Sequence, residues 1–277
     1  MYESRTWTAF KYIILITLCI IMMLPVAVAI LGGIRTTPEF LAEPFGLPRN
    51  GIVLDNYQRI LTGENFWRAF RNSALITAGV TIINVTLASM LAFAFSRIRF
   101  RTRNLWFNIL SIGLLFPLVV AVLPIFIQLR NFGLLSNLWG VILPMAAFGL
   151  PGSVVILRGF FTSIPIELED ASYIDGATLL QFFWYILLPI SRPALMAVAV
   201  LQIIASWNEF LLPLVVLTSA PESWPLTLGL QQFQGQFGTD WAPIMAYITI
   251  LMIPAVIFYL FTQRYIVTGL TGGELKG

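Results

Sequence analysis

The chain has 277 residues, 58% of them hydrophobic and 10% charged, with a formal net charge of +3. A soluble domain carries about 25% charged residues, so this composition belongs in a lipid bilayer, and the small positive balance reflects loop topology, with no nucleic acid expected as partner. Histidine is absent and the one cysteine, Cys19, lies in an apolar run, which excludes His-based acid–base catalysis, Ser-His triads, the HExxH zinc motif and an internal disulfide, and leaves too few ligands for a metal site.

A membrane-crossing helix needs about 20 mostly apolar residues. Six stretches meet that length, predicting an all-α polytopic membrane protein folded as one domain over 1–277: Ile13 to Gly32, Ser73 to Phe95, Leu105 to Ile127, Leu138 to Leu157, Ala194 to Leu217, and Ala242 to Thr262. Pro25, Pro117, Pro124, Pro144, Pro151, Pro213 and Pro254 fall inside them and read as kinks, which membrane helices tolerate better than soluble ones. The first stretch has a rival reading as a cleaved signal, because Arg5 and Lys11 precede it and Ala27-Val28-Ala29 resembles a signal-peptidase site. The apolar run continues to Gly32, however, and cleavage would leave five spans; a retained helix is expected.

Basic residues in short loops orient the chain. The loop between spans two and three, SRIRFRTRN, carries Arg97, Arg99, Arg101 and Arg103. Placing it in the cytoplasm puts both termini and the 158–192 loop there, with ten of the 16 basic residues. Five of the others, Arg35, Arg49, Arg59, Arg68 and Arg71, crowd the 33–72 loop outside and run against the rule. The expected location is a prokaryotic cytoplasmic (inner) membrane, multi-pass, with a C-terminal tail at 263–277.

The densest acidic cluster, ELEDASYIDG, lies in the 158–192 loop. Pro165 suits a first helical turn, where Glu167, Glu169 and Asp170 meet the positive end of the helix dipole, and Gly176 is a natural stop. A short helix from about Pro165 to Asp175 is predicted. A second, from near Thr178 to Leu188, should follow, and Pro189 and Pro193 then turn the chain into span five.

Asp170-Ala171-Ser172, three residues, Gly176, nine residues, then Ile186-Leu187-Leu188-Pro189 resembles the EAA loop of ABC-importer permeases. Asp170 stands for the family's Glu and Ser172 for its second Ala. Further landmarks, NYQRIL and FWRAFRNSALITAG within 56–79, LAFAFSRIRFRTRN, the Asp175-Gly176-Ala177 triplet, WNEFLLPL at 207–214 and GLTGGELKG at 269–277, resemble the smaller permease of the maltose-importer class. That resemblance implies a type I ABC importer fold in a transport subunit that is not an enzyme. It also implies that Glu169, Asp170, Ala171, Ser172, Asp175, Gly176, Ala177 and Pro189 form a coupling element docking on an ATPase. The chain has no GxxxxGK[ST] phosphate loop, so it binds no cofactor itself; ATP and Mg belong to partners. Those implied are two ABC ATPase subunits, a second, related permease and an extracytoplasmic solute-binding protein, serving a sugar-type solute. The tail residues Gly272, Gly273 and Lys276 are expected to reach the ATPase.

Trp207, Asn208 and Glu209 lie within the predicted fifth span, where a charge is costly and marks a pathway or an interface. Trp207 is able to stack on a sugar ring, and Asn208 and Glu209 to bond its hydroxyls, with Gln202 a further candidate; structural contacts between helices explain the same residues. The rival reading of the whole chain is a secondary transporter or channel without an ATPase.

Overall fold

The computed structural model describes residues 5–49, 51–235 and 238–271. In chain order the helices are α1 (Arg5–Gly33), α2 (Thr37–Ala42), α3 (Asp55–Thr62), α4 (Glu64–Ser96), α5 (Arg103–Ile112), α6 (Leu118–Asn131), α7 (Trp139–Ser163) and α8 (Ile166–Ile174). After these come α9 (Leu179–Gln181), a π-helical turn (Phe182–Leu187) and α10 (Leu188–Ile190) as one stretch, then α11 (Arg192–Trp207), α12 (Leu211–Val216) and α13 (Trp241–Thr271). Just before α13, β1 (Gln234–Gly235) pairs antiparallel with β2 (Gly238–Thr239). Among the described residues four helices are long and apolar enough to cross a membrane, Phe10–Gly33 in α1, α4, α7 and Trp241–Phe258 in α13, and the number reaches six if each of two bent pairs is one span.

Proline explains the first bent pair. The segment Arg103–Leu115 turns by 104° into α6. Phe116 (φ −91°, ψ 111°) and Pro117 (φ −72°, ψ 135°) are extended, because the proline ring excludes the helical conformation from the residue before it and supplies no N–H. The crossing predicted as continuous from Leu105 to Ile127 is therefore broken in its middle. In the second pair Leu179–Ile190 meets α11 at 76°, with Ser191 at the corner and Pro193 in the first turn of α11.

The chain divides into two compact units. The first comprises residues 1–67 and 229–254. Within it Arg35 is fully buried, its Nε donating to the Leu31 carbonyl at 2.9 Å and its terminal nitrogens to Glu43 O at 2.8 Å and Pro44 O at 3.0 Å, over the Phe40 ring. Asn56 donates to the carbonyls of Gly33 and Arg35. Arg35 is thus a structural cation satisfying loop carbonyls, and it drops out of the count of solvated loop charges that strained the orientation rule. Almost no face of α1 is covered by its own chain: residues such as Ile13, Leu15, Ile20 and Met22 are exposed, as a helix bathed in lipid requires.

The second unit comprises residues 68–228 and 255–277. One core cluster joins Ala88, Ala92 and Phe93 of α4 with Val154, Leu157 and Phe161 of α7, Phe182, Phe183 and Leu187 of the π turn, and Ala194 and Val198 of α11. The wider π turn brings residues four and five apart into line, which points Phe182, Phe183 and Leu187 together into that core. A second cluster, with Ile76 and Val80 of α4, Val141 and Ile142 of α7, and Leu212 and Val216 of α12, holds the other end.

Candidate functional site

The sequence around α8 builds a short helix with distinct faces. Pro165 (φ −55°, ψ 138°) stands at its N-cap. At the other end Gly176 takes φ +85°, its N–H bonds the Tyr173 carbonyl at 3.1 Å, and the N–H of Ala177 bonds that of Ser172 at 2.9 Å. This is the Schellman stop, which needs a residue with no Cβ penalty at the left-handed position. A capping box restarts the helix at once: Gln181 N donates to Thr178 Oγ1 and Thr178 N to Gln181 Oε1.

Helical spacing of three and four puts Glu167, Asp170, Ala171 and Ile174 on one face, and all four are exposed. Ile174 is 86% exposed, an isoleucine with nothing over it. Glu169 and Ser172 face the other way and are buried. The Ser172 hydroxyl donates to the Glu169 carbonyl at 2.7 Å. The Glu169 carboxylate meets Arg97 Nη1 at 3.2 Å through Oε2 and receives the Tyr173 hydroxyl at 3.0 Å on Oε1. Burial, then the bond to Glu169 and its charge, push the Tyr173 phenol up to about 12, so it stays a donor at any ordinary pH. The other terminal nitrogen of Arg97 donates to Phe161 O at 2.6 Å and Ile164 O at 2.7 Å. The residues expected to couple therefore divide: Asp170, Ala171, Asp175 and Gly176 lie exposed, Ala177 is half-buried, Glu169 and Ser172 point inward, and Pro189 is exposed in α10. Ile174 and Arg97 were not singled out for this element from sequence; an apolar residue flanked by acids was the available signal for the first, and the second lies 72 positions from its partner.

The polar residues of the fifth span separate as well. Gln202 Nε2 donates to Ser153 Oγ at 3.1 Å, Ser153 to Asn84 Oδ1 at 2.6 Å, and Asn84 Nδ2 to the Ala146 carbonyl at 2.8 Å, a chain of bonds linking α11, α7 and α4. Gly149 makes room for it, since a Cβ there would stand 2.4 Å from Gln202 Oε1. Glu209 does not lie mid-helix: α11 ends at Trp207, and Glu209 Oε1 receives the N–H groups of Leu211 at 2.9 Å and Leu212 at 3.1 Å, capping α12. Pro213, four residues on, has no N–H to give the Glu209 carbonyl, which takes the Thr227 hydroxyl at 2.9 Å instead. Trp207 packs edge-on to Phe70, with ring centres 5.8 Å apart, while its Nε1 is buried without a partner. Asn208 is exposed and donates to the Ile204 carbonyl. The tail positions Gly272, Gly273 and Lys276 lie outside the described residues.

Residues 84–272 match the family described as binding-protein-dependent transport system inner membrane component. The chain is 32% identical over 99% of its length, and 91% of the relative's, to the diacetylchitobiose uptake system permease protein NgcG of Streptomyces coelicolor. It is 36% identical to the trehalose/maltose transport system permease protein MalG of Thermococcus litoralis, covering 95% of this chain and 94% of that one. Its fold is similar to a chain of a bacterial ABC transporter involved in the import of the acidic polysaccharide alginate, with a TM-score of 0.81 at 24% identity, covering 96% and 99% of the two chains.

Proposed function

The chain belongs to the family of binding-protein-dependent transport system inner membrane components, as a permease subunit of an ABC importer and not an enzyme, and on that premise we propose that it moves a sugar-type solute inward by alternating access, with α8 as its docking element for an ATPase. The observation that carries the docking role is the two-sided build of α8. Its inner face is tied down by Arg97, with Tyr173 of the same helix orienting the Glu169 carboxylate, while Asp170, Ala171 and Ile174 are left to solvent. A small residue beside an uncovered isoleucine, rimmed by carboxylates, suits close approach of a partner's groove. The sugar class rests on the relatives, named for diacetylchitobiose uptake and trehalose/maltose transport.

The assembly proposed around it has two ATPase subunits carrying ATP and Mg, a second, related permease and an extracytoplasmic binding protein. Both termini are placed in the cytoplasm, which the basic loop after α4 supports, and the tail at Gly272, Gly273 and Lys276 is assigned to the ATPase side. All four pathway residues have structural contacts, and of them Asn208, exposed and bonded only through its Nδ2 to the Ile204 carbonyl, keeps its side-chain oxygen for a solute hydroxyl. The family match does not favour a secondary transporter or channel.

The test is a cross-link. Cys19 is replaced by serine and Ile174→Cys is introduced into the assembled transporter, purified from membranes. A maleimide–benzophenone reagent attached to the position-174 cysteine should, on irradiation, insert into a C–H bond of the ATPase subunit and join the two, and nucleotide should change the yield. An ATPase that copurifies but never cross-links there would sink the docking assignment. No copurifying ATPase would sink the assembly itself.

A further inference from the structure

We infer that Arg97 is a positioning residue that makes α8 a rigid lever, so that force applied to its outer face moves α4 and α7 instead of bending the loop; this rests on the reading that α8 docks on an ATPase. One guanidinium joins three helices. It leaves the C-terminal end of α4, meets Glu169 in α8, and donates to the carbonyls of Phe161 and Ile164 at the α7–α8 corner. Carbonyls at a helix end have no partner within the helix, and a planar fork is the side chain that serves two of them and a carboxylate together. The pair is nearly dry, with the side chains of Arg97 and Glu169 only 5% and 8% exposed. Glu169 is held from its far side by Tyr173, whose ring lies 6.2 Å from that of fully buried Phe182, in the core shared by α4, α7 and α11.

The connection continues along the same helices. Asn84 of α4 and Ser153 of α7 are bonded to each other and, through Ser153, to Gln202 of α11. A displacement of the α7–α8 corner therefore reaches the helices of this unit as a body. Cut at Arg97, the corner keeps α8 but loses its stiffness: the ATPase still docks and turns over, and the stroke is absorbed locally. Arg99, two residues on, is exposed and makes none of these contacts, so it serves as the internal control.

The experiment uses the complete transporter in liposomes, measuring ATP hydrolysis and sugar uptake in the same vesicles. The probe is whichever of radiolabelled maltose, trehalose and diacetylchitobiose the wild type accumulates most. Arg97→Ala and Glu169→Gln should lower uptake per ATP hydrolysed at least tenfold while the copurifying ATPase stays within twofold of wild type. Arg97→Lys, a single point donor, should fall between, and Arg99→Ala should match wild type. Lower protein amount with an unchanged uptake-to-hydrolysis ratio in both Arg97→Ala and Glu169→Gln overturns the lever and leaves only a stabilising pair. Should Arg97→Ala fail to insert, the near-isosteric Glu169→Gln decides. A copurifying ATPase that never cross-links to position 174 would overturn the docking reading instead.

Discussion

Replacing Glu209 by alanine and by glutamine separates a helix cap from a solute-binding charge. Oε1 of Glu209 is the acceptor for two N–H groups at the start of α12, those of Leu211 and Leu212. Leu212 is fully buried, whereas Leu211 is only half-buried, so water reaches the Leu211 N–H more readily than that of Leu212. A buried donor left unpaired costs about 1–3 kcal/mol, and loss of an N-cap side chain about 0.5–2 kcal/mol. One dry donor dominates here, which makes Glu209→Ala cost about 2 kcal/mol, or roughly 30-fold in the balance between formed and frayed α12. The amide oxygen of glutamine sits where Oε1 does, so Glu209→Gln should keep both bonds and stay within about 0.5 kcal/mol of wild type. Thermal unfolding of the detergent-solubilised protein, followed by tryptophan emission, reads the difference two residues from Trp207 and its Phe70 contact. Uptake by the same variants should track stability, with the glutamine protein close to wild type. A glutamine variant that keeps its unfolding midpoint yet loses uptake as completely as the alanine variant would refute the cap as Glu209's main work.

The stop at Gly176 and the buried cation at Arg35 are open to equally direct tests. A Cβ at Gly176 meets nothing within 4 Å, so Gly176→Ala isolates the backbone strain of φ +85°, about 1–2 kcal/mol, and should speed proteolytic cleavage between α8 and Thr178 without lowering the amount in the membrane; an unchanged cleavage rate would count against the Schellman stop. Arg35→Ala strips donors from three carbonyls and should cost more than about 3 kcal/mol, seen as a lower steady-state level, with Arg35→Lys recovering only part because one ammonium does not reproduce the fork. Wild-type levels of the alanine protein would contradict it.

What was legible in the sequence was local. Pro165, Gly176 and the Thr178–Gln181 pair state the ends of their helices within a few residues, because caps and stops are made by neighbours. The choice between inward and outward carboxylates was not local: Glu169 and Asp170 are adjacent, and only Arg97, brought up by α4, decides which of them is buried. Glu209 looked like a charge in mid-span because its stretch is apolar. The break follows from a proline four residues later and from Thr227 taking up the freed carbonyl, a pairing across 18 residues that hydropathy does not report. Arg35 likewise counted as a loop charge until its carbonyl partners were known.

The bend at Pro117 sets how much bilayer its span accommodates. Arg103–Leu115 and α6 are each about 20 Å long at about 1.5 Å per residue, and turned by 104° they reach about 25 Å end to end, where a straight helix would reach about 40 Å. The hydrocarbon layer is about 30 Å thick, so the bent pair, taken as one crossing, is shorter than that layer. Arg103 begins one limb and Arg130 stands in the last turn of the other. Both arginines thus stand at the outer ends of the bent pair, where a long stem suits carrying a charge away from an apolar layer.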